Sequence, residues 1–262
     1  MADAARKVAE SLIDEHARGV NFHPFAPARG IISIADAYEV QHEYVRLQMQ
    51  RRGACPVGYK IGLTTKRMQQ MCGIDNSIAG VVLSDRVHES GVSLFASSYG
   101  RIGLEFEIAA RLARDLRPDR DVVAPLEVAE AVDAVAPAIE IVDDRLADYR
   151  TLDALSLIAD NSWNAGIVLG PFVRSWPDLA TIEGVVFADG MVIDQGFGRD
   201  VLGHPFHSVA WLAKHLAEMG STLRAGDVVM TGNLVTTKFP SQSSAYHFSV
   251  TGLGEVGATI HV

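Results

Sequence analysis

The chain has 262 residues, 48% of them hydrophobic, and a formal net charge of -9. This composition can bury a sizeable core and excludes a disordered chain, and the length suits one large domain or a small one joined to a main one. The acidic balance, with no basic run, excludes nucleic acid and anionic membrane as main partners, but not a small anion held by a bound cation and a lysine.

Residues 3–18 space Ala5, Val8, Ala9, Leu12 and Ile13 as on one helix face. The stretch from His23 to Gly30 is a Pro/Gly-rich break. Ser33 then stands where it would cap a second helix to about Arg51, which Gly53 and Pro56 close. Residues 1–55 are expected to form a helical N-terminal cap, and residues 56–262 the main domain. Val57–Gly62 reads as a short strand, and Thr64 as the cap of a helix through Met71. Strands are expected at Ile102–Leu112, Ala138–Val142, Ile167–Leu169 and Gly184–Ala188. Helices are expected over Leu126–Val135, stopped by Pro137, and over Leu152–Ala159. Asp189-Gly190 signals a hairpin into Met191-Val-Ile. His207–Met219 is an amphipathic helix with Val209, Ala210, Leu212, Ala213 and Leu216 on its apolar side. Strands at Asp227–Met230 and Ala245–Val262 finish the chain. Many short strands, a hairpin and scattered helices, without regular βα alternation, predict a mixed α+β fold.

Cys55 and Cys72 lie in no C-x-x-C and read as free thiols of a reducing compartment. The first residues hold no apolar signal run, and no segment is long and apolar enough to span a bilayer, so a cytoplasmic location is expected.

Three carboxylates stand out. Glu105 and Glu107 lie in Gly103-Leu-Glu-Phe-Glu-Ile108, and Glu140 in Pro137-Ala-Ile-Glu-Ile-Val-Asp143. Strand side chains alternate, so Glu105 and Glu107 share one face while Leu104, Phe106 and Ile108 share the other. Like charges side by side on a half-buried strand repel and are costly to desolvate. The spacing leaves two readings open: a shared hard divalent cation, or a solvated sheet face. Lys60, inside the apolar run Val57–Ile61, likewise reads as a cation that orients a substrate carboxylate or relays a proton, or as a snorkelling edge-strand lysine.

Other motifs carry less. Gly252-Leu-Gly254-Glu-Val-Gly257 is a literal G-x-G-x-x-G, but so close to Val262 it cannot open a βαβ unit, and a glycine-rich hairpin is expected. Asp160-Asn-Ser162 and Gly203-His-Pro205 read as capping and turn chemistry. Thr231-Gly-Asn233 ends an apolar strand, where functional loops often sit.

Taken together, Gly58-Tyr-Lys-Ile-Gly-Leu-Thr64, Leu104–Ile108, Pro137–Val142, Ala159–Ser162, Leu202–Pro205 and Ala225–Gly232 resemble, in order and spacing, one known group. It is the 2-keto-4-pentenoate hydratase and 4-oxalocrotonate decarboxylase group of the fumarylacetoacetate hydrolase superfamily. The resemblance runs from about residue 30 to the end. It implies a rolled, mixed β-sheet, barrel-like core with flanking helices, and a homo-oligomer open to association with a sister pathway enzyme. It implies that Glu105, Glu107 and Glu140 hold Mg2+ or Mn2+, that Lys60 is the active-site lysine, and that Gly62, Leu63, Ser162 and Thr231 bind substrate. The implied substrate is a small 2-hydroxy-2,4-dienoate or its 2-oxo tautomer, from aromatic-compound catabolism. Far-carbon protonation and water addition at C4 would give a 4-hydroxy-2-oxo acid, with a Lewis-acid cation stabilising the dienolate oxygen. Loss of CO2 from a vinylogous 2-oxo diacid would use the same electron sink.

The chain departs from the hydratase pattern in two places. The arginine of P-R-x-E-x-E is absent, since Gly103 stands there. The hydratase aspartate before the [FY]-G is Ile78, an apolar residue normal in the decarboxylase branch, to which Asp143-Asp-Arg145 also leans; Asp75 is the candidate substitute. Hydration is expected ahead of decarboxylation, with acylpyruvate hydrolysis and a non-catalytic partner role as further alternatives.

Overall fold

A computed structural model describes residues 2–116 and 125–262. Helices α1 (Ala2–Ala17) and α2 (Ile34–Arg52) come first. Ser33 caps α2 as expected, its hydroxyl accepting from the Asp36 amide at 3.1 Å, and Gly53 ends it in the left-handed conformation. Next come β1 (Pro56–Gly62), α3 (Lys66–Met71), β2 (Ile78–Leu83), β3 (Val87–Glu89), β4 (Val92–Phe95) and β5 (Ile102–Leu112). Helix α4 (Pro125–Ala131) runs into β6 (Val132–Asp143), followed by α5 (Ala154–Ala159), β7 (Asn164–Leu169), β8 (Glu183–Ala188) and β9 (Met191–Phe197). Helix α6 (Pro205–Glu218) and strands β10 (Val228–Asn233), β11 (Ser244–Val250) and β12 (Gly254–His261) complete the chain.

The fold is mixed α+β. One sheet has the order β2-β1-β10-β5-β6-β7-β3 and the other β4-β12-β11-β8-β9; among the described residues neither closes into a barrel. One core gathers Leu104, Phe106 and Ile108 of β5 with Ile139 and Ile141 of β6, Phe248 of β11, Val256 of β12 and Leu212 of α6. A second core joins Leu12 of α1, Val45 of α2 and Ile158 of α5 to Leu63, Ile78, Val142 and Trp163. The N-terminal helices therefore share an apolar interior with the segments around β1, β2 and β6.

Several elements depart from expectation. The helix foreseen over 126–135 stops at Ala131, because β-branched Val132 and Val135 continue the strand instead. Pro137 sits inside β6 without penalty. Its carbonyl accepts from the Gly170 amide just past the end of β7 at Leu169, where pairing on that side of β6 becomes irregular. Strands β2, β3 and β4 were not foreseen, since short apolar runs give weak periodicity. Thr65, not Thr64, caps α3, through the Met68 amide. The terminal glycines form the β11–β12 hairpin, not a nucleotide loop.

Among the described residues the outer edge of β2 has no strand neighbour, and side chains cover it. The Ala79 amide donates to the Tyr38 hydroxyl at 3.0 Å, and its carbonyl accepts from Gln41 Nε2 at 2.8 Å and Ser162 Oγ at 3.1 Å. The Asn161 side chain imitates a strand partner, accepting from the Val81 amide at 2.7 Å and donating to its carbonyl at 2.9 Å. This geometry requires Asn161, Ser162 and Trp163 to take left-handed φ of 50°, 50° and 60°. Each non-glycine residue there costs about 1 kcal/mol or more.

Candidate active site

Antiparallel pairing of β5 with β6 sets Glu105 directly opposite Glu140, with Glu107 two residues further along the same face of β5. One ligand oxygen from each of the three lies within 4.8 Å of the others. Glu107 and Glu140 are fully buried and Glu105 is partly exposed, which removes the solvated-face reading for the first two. Lys60, on β1, two strands from β5 and three from β6, is buried rather than snorkelling, and its Nζ lies 3.3 Å from Glu140 Oε1.

Each carboxylate has one oxygen held by a donor from a different element. Glu107 Oε2 accepts from the Gly232 amide at 2.7 Å, Glu140 Oε1 from Asn164 Nδ2 at 2.9 Å, and Glu105 Oε1 from Thr237 Oγ1 at 2.7 Å. Among the described residues, Glu107 Oε1 and Glu140 Oε2 are buried and have no hydrogen-bond partner. Buried acceptors are normally satisfied, so two orphaned oxygens beside a third carboxylate fit a hard divalent cation. The electrostatics agree. Burial, then the charges of Glu140 and Glu105, push Glu107 well above the usual carboxylate range. Burial pushes Glu140 up to about 7, although Lys60 pulls against it. Burial opposes the Lys60 charge, but Glu140, Glu105 and Glu107 outweigh it and raise its pKa.

Of the remaining predicted site residues, Gly62 lies beside Lys60, and the others are placed by contacts of their own. A Cβ at Gly62 would lie 3.3 Å from Lys60 Nζ and 3.4 Å from Ile78 Cγ1, so glycine leaves room beside the amine, and Ile78 borders the same space. Leu63 follows at φ 56° and is buried. Ser162 binds the β2 edge through Ala79. The Thr231 hydroxyl donates to the Ile108 carbonyl at 2.8 Å, within the irregular β10–β5 pairing. Asp75 is exposed on the turn before β2. His204 is the N-cap of α6, its Nδ1 accepting from the Phe206 amide, as capping chemistry predicted.

Sequence reasoning missed Asn164, Thr237 and the Gly232 amide. Thr231-Gly-Asn233 was singled out as a strand end, but the donor there is backbone. Asn164 opens β7 and also lines a cleft of about 400 Å³ between the helical layer and β2, together with His16, Tyr44 and Tyr99.

The profile of the family described as Fumarylacetoacetate (FAA) hydrolase C-terminal matches residues 81–261, which include all three glutamates. The chain belongs to this family. Within it, the hydrolase-family chain is 36% identical over 225 residues to the 2-keto-4-pentenoate hydratase of Burkholderia vietnamiensis, covering 85% of this chain and 84% of that one. It is 32% identical over 232 residues to the 2-oxo-hept-4-ene-1,7-dioate hydratase of Escherichia coli, 86% of each chain. Among solved structures it is similar to the 4-oxalocrotonate decarboxylase from Pseudomonas putida G7, complexed with magnesium and adipate. The TM-score is 0.92 at 28% identity, covering 99% of this chain and 98% of that one. The chain falls in the hydratase and decarboxylase group of its family and is an enzyme, a lyase. Among the described residues, no helix is long and apolar enough to cross a membrane.

Proposed function

We propose that this lyase hydrates a small 2-hydroxy-2,4-dienoate, through its 2-oxo form, to a 4-hydroxy-2-oxo acid, with Glu105, Glu107 and Glu140 holding Mg2+ or Mn2+. The observation that carries the reading is the orphaned pair Glu107 Oε1 and Glu140 Oε2 beside Glu105, with Lys60 at 3.3 Å from Glu140. A bound divalent cation supplies Lewis-acid stabilisation of negative charge developing on a substrate oxygen. Lys60, held charged by the glutamates, orients the substrate carboxylate, or moves a proton at Nζ to and from the substrate carbon chain. Gly62 leaves the space beside that amine open, and the buried Ile78 borders that space. Asp75, on the exposed turn before β2, is the candidate for activating water. The names of the hydratase relatives support hydration as the reaction.

One observation favours decarboxylation of a 2-oxo-3-enedioate as the second reading. Ile78, not an aspartate, borders the space at Gly62 that Lys60 Nζ also borders, and a decarboxylation needs no activated water. Ultraviolet-monitored turnover of 2-hydroxypenta-2,4-dienoate and of 2-oxo-3-hexenedioate, each with Mg2+ or EDTA, separates the two. Metal-dependent loss of the dienoate with formation of a 4-hydroxy-2-oxo acid is the expected result. CO2 release from the diacid alone would replace hydratase by decarboxylase, and silence on both would overturn the lyase substrate assignment.

A further inference from the structure

The segment after β10 runs back along β5 as a strap. The Asn233 side chain accepts from the Phe106 amide at 2.9 Å, the Leu234 amide donates to the Phe106 carbonyl at 3.0 Å, and Leu104 and Lys238 exchange both backbone bonds, at 2.8 and 2.9 Å. Lys238 is anchored to Asp194 on β9, so the strap is pinned from the second sheet as well. This register delivers Thr237 to Glu105, with its hydroxyl donating at 2.7 Å. The space for Thr237 exists because residue 103 is glycine: a Cβ there would lie 3.1 Å from Thr237 Cγ2 and 2.9 Å from the Phe239 ring.

Glu105 differs from its two companions. It is the partly exposed member, whereas Glu107 and Glu140 are buried. Among the described residues, its one fixed oxygen depends on a side-chain hydroxyl, whereas Glu107 is held by a backbone amide and Glu140 by both Asn164 and Lys60. A carboxylate with one oxygen tied presents the other in a defined direction, and partners of this kind are what orient metal ligands.

We propose that Thr237 is a positioning residue that fixes Glu105 for cation binding. The inference rests on the metal-site reading above. The test uses the full-length protein, with Mg2+ and Mn2+ as probes in isothermal titration, and melting temperature in EDTA as a control. Thr237→Val keeps the branched shape and the methyl packed against Gly103 but removes the donor; Thr237→Ser keeps the donor. The expected result is a loss of affinity of about 10- to 100-fold in Thr237→Val, recovery to near wild type in Thr237→Ser, and an unchanged melting temperature of both in EDTA. Wild-type affinity in Thr237→Val would overturn the positioning role while leaving the metal site standing. Equal losses in Thr237→Val and Thr237→Ser would assign the effect to packing and overturn it too. Absence of Mg2+ and Mn2+ binding in the wild type would overturn the metal-site reading itself, and this inference with it.

Discussion

At the scale of single residues, the site is a set of charges that burial makes expensive until something binds them. Glu107→Gln keeps the shape but removes a charge from the proposed metal site, so Mg2+-dependent turnover is expected to vanish; undiminished activity in a turnover assay would contradict the assignment. The same electrostatics set a pH dependence. Glu107 and Glu140 have folded pKa values raised above the ordinary 4.5, the latter to about 7. The folded state therefore binds protons more tightly than the unfolded state between those values, and stability falls as pH rises through that window. The metal-free protein is expected to melt at progressively lower temperature from about pH 4.5 to about pH 7. Added Mg2+ should protect it more as pH rises, because the cation binds deprotonated carboxylates and displaces their protons. Thermal scans with EDTA and with Mg2+ across this range check both statements.

At the scale of elements, register does the positioning. Strand alternation was legible in Leu104–Ile108 and put Glu105 and Glu107 on one face, but the opposition of Glu105 and Glu140 is a property of the β5–β6 pairing. The Ser33 cap, the terminal hairpin and α6 were legible because their signals lie within a few residues. Strands β2 to β4 were not, because each is a short run whose partners are distant in sequence. Gly103 shows how an element constrains substitution. Gly103→Arg would return the hydratase pattern's arginine, but any side chain there meets Val142 at 2.6 Å and Phe239 at 2.9 Å. The variant is expected to lose about 3 kcal/mol of stability, an overpacking effect, in chemical denaturation. It should also weaken Mg2+ binding by displacing the strap.

At the scale of the whole molecule, a buried network ties the helical layer to the site's surroundings. Asp160 Oδ1 accepts from His16 on α1 at 2.6 Å, and Asp160 Oδ2 accepts from Arg145 at 2.5 Å, with both Asp160 and Arg145 buried. Burial pushes the Asp160 carboxyl up, but His16 and Arg145 together carry it below its ordinary value. A depressed carboxyl contributes stability above its unfolded pKa and loses it as pH falls through the folded one. Asp160→Asn is expected to cost about 3–5 kcal/mol in urea denaturation near neutral pH, because it strands a buried guanidinium. The gap to wild type should narrow as pH falls below the ordinary aspartate range.

The sequence by itself determined what local physics and resemblance can carry: an α+β fold, the family, three glutamates embedded in apolar strands, and a lysine where lysine is unusual. Side-chain alternation and capping act over a few residues, so they can be read in a line of text. Only the tertiary structure decided that, among the described residues, Glu107 and Glu140 each keep a buried oxygen without a partner, that Lys60 is buried against Glu140, and that Ile78 and Lys60 both border the space at Gly62. It also brought Asn164, Gly232 and Thr237 to the carboxylates. Hydrogen bonds such as Thr237 to Glu105 join residues more than a hundred positions apart. No periodicity encodes such a contact, because it exists only once two sheets and a strap have fixed one another's register.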